Sequence, residues 1–460
     1  MYRKLIDKFY QKSLQTEKKI TVVGDSMLDE YYQVTSNRIS PEFPIPVLKS
    51  KYEEPTKVVP GGAANVIRQL EFQNVDSKLV SILDAHSYEI FNKNINVDYC
   101  VIPWNSMVPR KKRFYHEDFP LVRWDCETDK YNLNNQDYEQ AIKSLTIPES
   151  DIIVFSAYGK GMFFTPWYKK YLKNNITIVD PKKNGEKWEN CTIFKPNASE
   201  AQNISGKKEI KDQLNFIMKK VKCKAVIITQ SGEGVCGCVD SPDNYFEIRP
   251  QIKNIDVRSV IGAGDCFTAF LALSYSHGFS LEDCSKIAFN AGISYVKNKH
   301  NEILCLLDLL ESCEDYDKII YNPNILEKRK TKLAFTNGCF DILHEGHLQS
   351  LKFAKSKADK LVVAVNSDAS VKRLKGKQRP INDIKTRMNM LASLDFVDYV
   401  VCFEEDNPLK IIKSIKPDVL VKSQPYNAKE VVGANIVPEV YICPKKIDIS
   451  TTSILAKYKN

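Results

Sequence analysis

The sequence predicts an α/β protein of two domains, each built on a mainly parallel sheet covered by helices. Three observations point there. Continuous apolar runs of strand length recur: ITVVG (20–24), DIIVF (151–155), ITIVD (176–180), AVIIT (225–229), KLAFT (332–336), LVVAV (361–365) and DVLVK (418–422). Helix-like segments separate them, the pattern of parallel strands buried on both faces. The 460 residues, 43% hydrophobic, exceed what one core holds.

The opening MYRKLIDKFYQKS mixes charged and apolar residues and reads as an amphipathic helix without the apolar centre of a signal peptide. No apolar run approaches the roughly 18 residues of a membrane span, so a cytoplasmic protein with no membrane partner is expected. ISPEFPIPVL (39–48) is Pro-rich yet apolar, which suits an edge strand or a lid over a pocket. Between Glu311 and Thr331 the pattern lapses into ESCEDYDKIIYNPNILEKRKT, and the domain boundary is expected there: 1–322, a linker at 323–331, then 332–460. The 13 cysteines contain no CxxC pair, and Cys236 and Cys238 alternate faces of a strand. Reduced thiols and no metal site are expected. The net charge of +9, from 66 basic and 57 acidic residues, is dispersed. Lacking an aromatic-interleaved basic stripe, it argues against nucleic acid and suits a solvated surface or small anionic substrates.

Three stretches place polar residues at strand ends or helix starts. VVGDSMLDEYY sets Asp25 and Asp29 just past a strand, the edge where α/β sheets bind ligands. PGGAANVIRQL sets Gly61 and Gly62 before a helix and Asn65 in its first turn. In VIGAGDCFTAFLAL, Gly262, Ala263 and Gly264 expose backbone N–H groups at a helix start, and Asp265 follows. An anion hole beside a carboxylate suits phosphoryl transfer to a hydroxyl; a tight turn with an N-capping Asp is the plainer alternative.

KLAFTNGCFDILHEGH is strand, turn and helix, with Leu348, Leu351, Ala354 and Ala358 forming one apolar stripe. His344 and His347 therefore sit at a helix N-terminus, where free N–H groups and the helix dipole favour phosphate. Gly346 allows close approach of a phosphate, and two imidazoles can donate to one whose charge grows in a transition state. Zinc pairs usually stand at i, i+4 with a third ligand, which is not evident here.

In sequence order, GDSMLD, SNRISPE (36–42), GGAANV, VRWD, DPKKN, KPNASEA, TQSGEGV and GAGD resemble the ribokinase-like sugar kinases. SNRISPE and GGAANV resemble the heptose-phosphate kinase in particular. TNGCFDILHEGH, VAVNSDASVKRLKGKQRPIN, KTRMNML and ISTTSI (449–454) resemble the HxGH nucleotidyltransferases. NSDASVKRLKG, FEEDNP and PDVLVK are similar to the adenylyltransferase half of the bifunctional heptose-phosphate kinase/adenylyltransferase.

The resemblance implies a ribokinase-like doubly wound domain with a β lid, followed by a Rossmann-like HxGH domain. It implies ATP with Mg²⁺, sugar phosphates as substrates, and a homo-oligomer, a dimer. Asp265 would be the kinase base and Gly262, Ala263 and Gly264 its anion hole. Asn197, Ala198, Ser199, Glu200, Ser231 and Gly232 would hold the nucleotide. Asp25, Asp29, Gly61, Gly62 and Asn65 would grip the sugar, and Arg110, Lys112, Arg113 and Arg123 its existing phosphate. In the second domain His344 and His347 would act on the triphosphate, with Asn337 and Phe340 shaping the turn. Lys375, Arg387, Ser450, Thr451 and Thr452 would bind phosphate. The chain departs from the pattern at Ala157, where an Asp is usual, at Ser259–Val260–Ile261 for Asp-Val-Thr, and at Ser423–Gln424–Pro425 for Gly-Gly-Asp. CTP in place of ATP in the second domain, another polyol phosphate, and a kinase half serving only for binding or dimerisation stay open.

Overall fold

A computed structural model describes residues 2–71, 73, 75–95, 98–103, 108–127, 142, 145–182, 185–250, 255–298, 302–424, 430–444, 451 and 454. The chain forms two compact units, Gln11–Leu304, and Met1–Tyr10 with Cys305–Asn460. The expected boundary at 323–331 is thereby corrected. The stretch after Cys305 is no linker: it carries the helix Leu306–Glu311 and the 3-10 turn Pro323–Leu326, and it buries Ile319, Ile320, Ile325 and Leu326. Arg329 fixes it further, donating to the carbonyls of Leu326, Ile415 and Lys416 and pairing with Asp418 at 2.6 Å.

In the larger unit fourteen strands are described: β1 (Lys19–Gly24), β2 (Ser26–Thr35), β3 (Lys49–Ser50), β4 (Lys57–Gly62), β5 (Asp76–Leu83), β6 (Asp98–Pro103), β7 (Arg110–His116), β8 (Phe119–Cys126), β9 (Ile152–Ser156), β10 (Thr177–Asp180), β11 (Ile193–Phe194), β12 (Ala225–Thr229), β13 (Val235–Val239) and β14 (Ser241–Ile248). Nine of them make one sheet in the order β14-β13-β12-β11-β10-β9-β1-β5-β6. From β12 to β6 it is parallel; β13 and β14 add an antiparallel edge. The chain runs outward from β1 to β5 and β6, then resumes at β9 on β1's other side. This reversal opens a crevice at the carboxyl ends of β1 and β9. The remaining strands form a small second sheet, β3-β2-β7-β8 with β4 against β2. This is the lid the resemblance implies. The 39–48 segment lies between two of its strands, closed by a bridge from Ile39 to Pro46 and mostly exposed.

Helix Ala263–Ser276 is buried continuously from Asp265 to Ser274, which its apolar composition dictates, and packs on helices Ala63–Glu71 and Leu281–Val296. The second of these starts at Ser280, whose hydroxyl accepts the Asp283 N–H at 3.1 Å.

The smaller unit holds an all-parallel sheet of β15 (Leu333–Gly338), β16 (Lys360–Asn366), β17 (Tyr399–Phe403), β18 (Val419–Ser423) and β19 (Glu439–Cys443), ordered β17-β16-β15-β18-β19. Its order reverses between β15 and β18, so the crevice lies past Gly338 and Ser423. The expected amphipathic helix forms at Tyr2–Ser13. Its Ile6 and Phe9 are buried, and buried Arg3 donates to Asp317 and to the Ile319 carbonyl.

Candidate active sites

Asp265 lies one turn into its helix at the crevice of the large sheet, 4% exposed. Gly262 begins the helix in the left-handed region (φ 81°), a conformation that favours glycine, and no side chain caps the N-terminus. A side chain at Gly264 would meet nothing within 4 Å, so there is open space beside the helix start, although the Ala263 N–H already donates to the Val260 carbonyl at 3.3 Å. Asp265 Oδ2 accepts from Asn65 Nδ2 at 3.0 Å, and Oδ1 accepts from the Tyr158 hydroxyl. Burial pushes the carboxyl up to about 6, against the Tyr158 and Asn65 hydrogen bonds, which favour the ionised form. A carboxylate of that basicity suits a proton acceptor near neutral pH.

The neighbouring strand ends add groups the sequence reading left unassigned. Asp180, ending β10, pairs with buried Lys195 Nζ at 3.0 Å and accepts from Thr268 Oγ1 at 3.1 Å. Lys182 pairs with Glu200 at 3.0 Å and lies over the Tyr158 ring. The available signal was position: DPKKN and KPNASEA each follow a strand.

Several expected ligands are engaged otherwise. Asp25 accepts the backbone N–H groups of Tyr158, Lys160 and Met162 at 2.8, 3.2 and 2.9 Å, so its carboxylate holds the turn after β9 instead of facing outward. Asn197 and Glu200 form a reciprocal capping box on helix Ala198–Ser205, with Ser199 donating to the Asn197 side chain. Asp29 pairs with Arg113 at 3.0 Å and lies so close to Gly61 that a Cβ there would stand 2.7 Å from its oxygen. Gly62 takes φ 63°, and Ser231 takes φ 52° in the exposed 231–233 turn that includes Gly232.

The lid cations divide by strand alternation. Lys111 and Arg113 stand on one face of β7, beside Asp125 and Arg123 of β8 and near Asp29. Arg110 and Lys112 stand on the other: Arg110 bonds Glu30 at 3.3 Å, and Lys112 lies over the Tyr32 and Trp124 rings. The expectation that Arg110 and Lys112 join Arg113 at a phosphate is thereby corrected. A cleft of about 710 Å³ is lined by Arg113, Arg123 and Arg258 together with Ser259, Val260 and Ile261. Arg258 was not foreseen, and Arg123 is held bidentately by Asp125 at 2.8 and 2.6 Å.

In the smaller unit, His344 precedes helix Glu345–Lys355 in extended conformation, and its carbonyl accepts the His347 and Leu348 N–H groups. The two imidazoles stack at 3.8 Å, with Phe340 5.1 Å from the His347 ring. Phe340 takes φ 48°, and Gly338 leaves room for its ring. Burial lowers both histidines, His347 to about 4, so both are neutral N–H donors at neutral pH. Among the described residues, His344 Nδ1 and Asn337 Oδ1 are buried without a hydrogen-bond partner, as groups awaiting a ligand would be. Thr451 reaches the same turn, 3.5 Å from the Ile342 carbonyl; Ser450 and Thr452 lie outside the described residues.

Arg387 is corrected as a phosphate ligand. It is 1% exposed and donates to the carbonyls of Asn382 (3.0 Å), Cys339 (2.7 Å) and Asn366 (2.8 Å) and to Asp368 (2.6 Å). It holds the turn by which β15 leads to the histidines. Lys375 ends its helix exposed, near Cys339, whose thiol burial raises and the Lys375 charge lowers. Lys422, at the end of β18, was missed; it donates to the Asn337 carbonyl at 3.0 Å, and burial lowers its ammonium to about 8.

Two phosphate-handling crevices, one on each sheet, define a carbohydrate kinase joined to a nucleotidyltransferase. A pfkB carbohydrate kinase family model matches residues 173–333, and a cytidylyltransferase-like model matches 335–457. Among solved structures, phosphofructokinase-2 from Escherichia coli in complex with potassium superposes with a TM-score of 0.53 at 17% identity. That match spans 64% of this chain and 98% of the other, and it shows the ribokinase-like fold alone. The bifunctional protein HldE of Nitratiruptor sp. is 33% identical, covering 96% of this chain and 99% of its own. Those of Campylobacter jejuni subsp. doylei and Wolinella succinogenes are each 34% identical, covering 97% and 95% of this chain and 98% and 97% of theirs. The chain belongs to the bifunctional HldE family. Among the described residues no helix is long and apolar enough to cross a membrane, and no group of three or more His, Cys, Asp or Glu could hold a metal ion.

Proposed function

We propose that the larger unit phosphorylates the anomeric hydroxyl of heptose 7-phosphate with ATP, giving the 1,7-bisphosphate and ADP, and that the smaller unit transfers AMP from ATP to heptose 1-phosphate, the compound left once a separate hydrolysis has removed the 7-phosphate. The products of that second reaction would be ADP-heptose and pyrophosphate, for a surface polysaccharide assembled from cytoplasmic precursors. In the first step Asp265 takes the hydroxyl proton as the sugar oxygen bonds to the γ-phosphorus and ADP leaves. The N–H groups of Gly262 and Gly264 receive the transferred phosphoryl oxygens, and Arg113, Arg123 and Arg258 hold the sugar's existing phosphate. In the second, the 1-phosphate oxygen attacks the α-phosphorus while neutral His344 and His347 donate to oxygens whose charge grows.

The observation that carries the reading is the buried, basic Asp265 carboxylate at an uncapped helix N-terminus. Mg²⁺ fits as a passenger on the nucleotide. Asp180 and Glu200 already face Lys195 and Lys182, so the described residues offer no dedicated cage, and Mg²⁺ ordinarily keeps waters and phosphate oxygens as ligands. It would neutralise phosphate charge there.

The cytidylyltransferase-like match over 335–457 supports a second reading with CTP as nucleotide donor. Incubating the purified chain with Mg²⁺, either ATP or CTP, and in separate arms heptose 7-phosphate or heptose 1-phosphate, with products identified by mass spectrometry, tests both. Heptose 1,7-bisphosphate from the 7-phosphate, and ADP-heptose from the 1-phosphate with ATP alone, support the proposal. A CDP-sugar supports the second reading, and the absence of any heptose bisphosphate removes the kinase assignment.

A further inference from the structure

Tyr158 follows β9 and is tied into the crevice at both ends. Its N–H donates to Asp25 at 2.8 Å, and its hydroxyl donates to Asp265 Oδ1. Its ring lies 4.7 Å from Lys182 Nζ and 5.9 Å from Lys111 Nζ, a cation from the sheet and one from the lid. Gly62 packs beneath it: a Cβ there would stand 3.5 Å from the ring. With Asn65 on Oδ2, Tyr158 leaves Asp265 no freedom to turn about its last torsion. Each carboxylate oxygen accepts two bonds, so Oδ1 keeps a lone pair for a substrate hydroxyl.

We infer that Tyr158 is a positioning residue for phosphoryl transfer, aiming the Asp265 carboxylate and holding it ionised until the sugar hydroxyl arrives. The inference rests on Asp265 being the base. Burial opposes ionisation of Asp265 and the Tyr158 hydroxyl favours it; Asn65 and Lys195 act with Tyr158, and Asp180 acts with burial. Lys182 from the β10 end, Lys111 and Asp29 from the lid, and Tyr295 from helix Leu281–Val296 complete the charged and titratable surroundings. Removing a donor to the ionised form must raise the carboxyl's pKa, so the rate is lost from the acid side first.

The test is the pH profile of kcat/KM for sugar phosphorylation by the full chain, for wild type, Tyr158→Phe, and a protein carrying 3-fluorotyrosine at 158. Wild type should lose activity with an acid limb near pH 6. Tyr158→Phe should move that limb upward by roughly one unit, the worth of one hydrogen bond to a charged group, with KM for ATP unchanged and most of the rate restored at high pH. The fluorinated tyrosine, a stronger donor, should move it downward, and this arm stands if the Phe variant fails to fold. An unmoved limb with a plateau lowered throughout would overturn the inference and leave Tyr158 a packing residue. Failure of the underlying reading looks different: Asp265→Asn would then keep the wild-type rate and limb.

Discussion

Arg387→Met separates two roles a buried arginine could have here. If Arg387 grips phosphate, its loss should raise the nucleotide KM and leave folding untouched. The structure argues the reverse. Met fills most of the volume but leaves the Cys339 and Asn366 carbonyls without donors in the interior, each costing about 1–3 kcal/mol. Asp368 is a third exposed and regains water, so its 2.6 Å pair adds less than a fully buried one. The sum is about 3–5 kcal/mol. For a unit of this size, that lowers the melting temperature by roughly 6–20 °C. The assay is calorimetry on the full chain, with hydrogen exchange assigning the transition that contains residue 387. Loosening of the 339–344 turn should also reduce kcat for nucleotidyl transfer. A variant melting within a degree of wild type, with only its nucleotide KM raised, would refute the reasoning.

Other outcomes follow from the same geometry. His347→Ala should lower nucleotidyl transfer by about 10²–10³, the usual effect of losing one donor to a developing oxyanion, with sugar phosphorylation intact. His347 is depressed to about 4 against roughly 6.5 unfolded, so its contribution to stability is full above pH 6.5 and is lost as pH falls from there toward 4; acid denaturation of His347→Ala should lack that component. Asp265→Asn keeps shape but cannot take a proton, so phosphorylation should fall about 10²–10⁴ while transfer from supplied sugar 1-phosphate is unchanged. Arg113→Met should raise KM for the sugar phosphate, whereas Lys112→Ala, on the opposite face of β7, should leave it within about twofold; equal effects in a steady-state assay would contradict the assignment of faces.

What the sequence made legible is what short-range pattern encodes. The central strands β1, β9, β10, β12, β15, β16 and β18 show as unbroken apolar runs because both faces are covered. GAGD and HEGH show because an anion site at a helix N-terminus is compact in sequence. The strand β8 did not show, since Phe119 to Asp125 is exposed throughout and has no buried face to set an alternation. β11 is two residues long, below any periodicity. The boundary was misplaced because the partners of 305–331 are remote. Arg3 bonds Asp315 and Asp317, more than 300 residues away, and a charged stretch whose burial depends on such contacts reads as a linker.

The lid arginines show where a local rule was available and composition overrode it. In RKKRFYH, composition alone suits Arg110, Lys112 and Arg113 together to one phosphate. A strand cannot present consecutive side chains to one site, because their Cβ vectors oppose each other at every step. Once residues 110–116 are a strand, Arg113 and Lys111 must share a face and Arg110 and Lys112 the other. The buried groups agree with that parity: Asp29 meets Arg113 on one side of the lid, and Glu30 meets Arg110 on the other. Each buried carboxylate holds the arginine on its own face, so neither Arg110 nor Lys112 can swing to the cleft without leaving Glu30 uncompensated or breaking the ladder to β8. In the proposed reaction the sugar's existing phosphate would fall to Arg113 and Arg123, with Arg258 lining the same cleft, while Lys111 lies beside Tyr158.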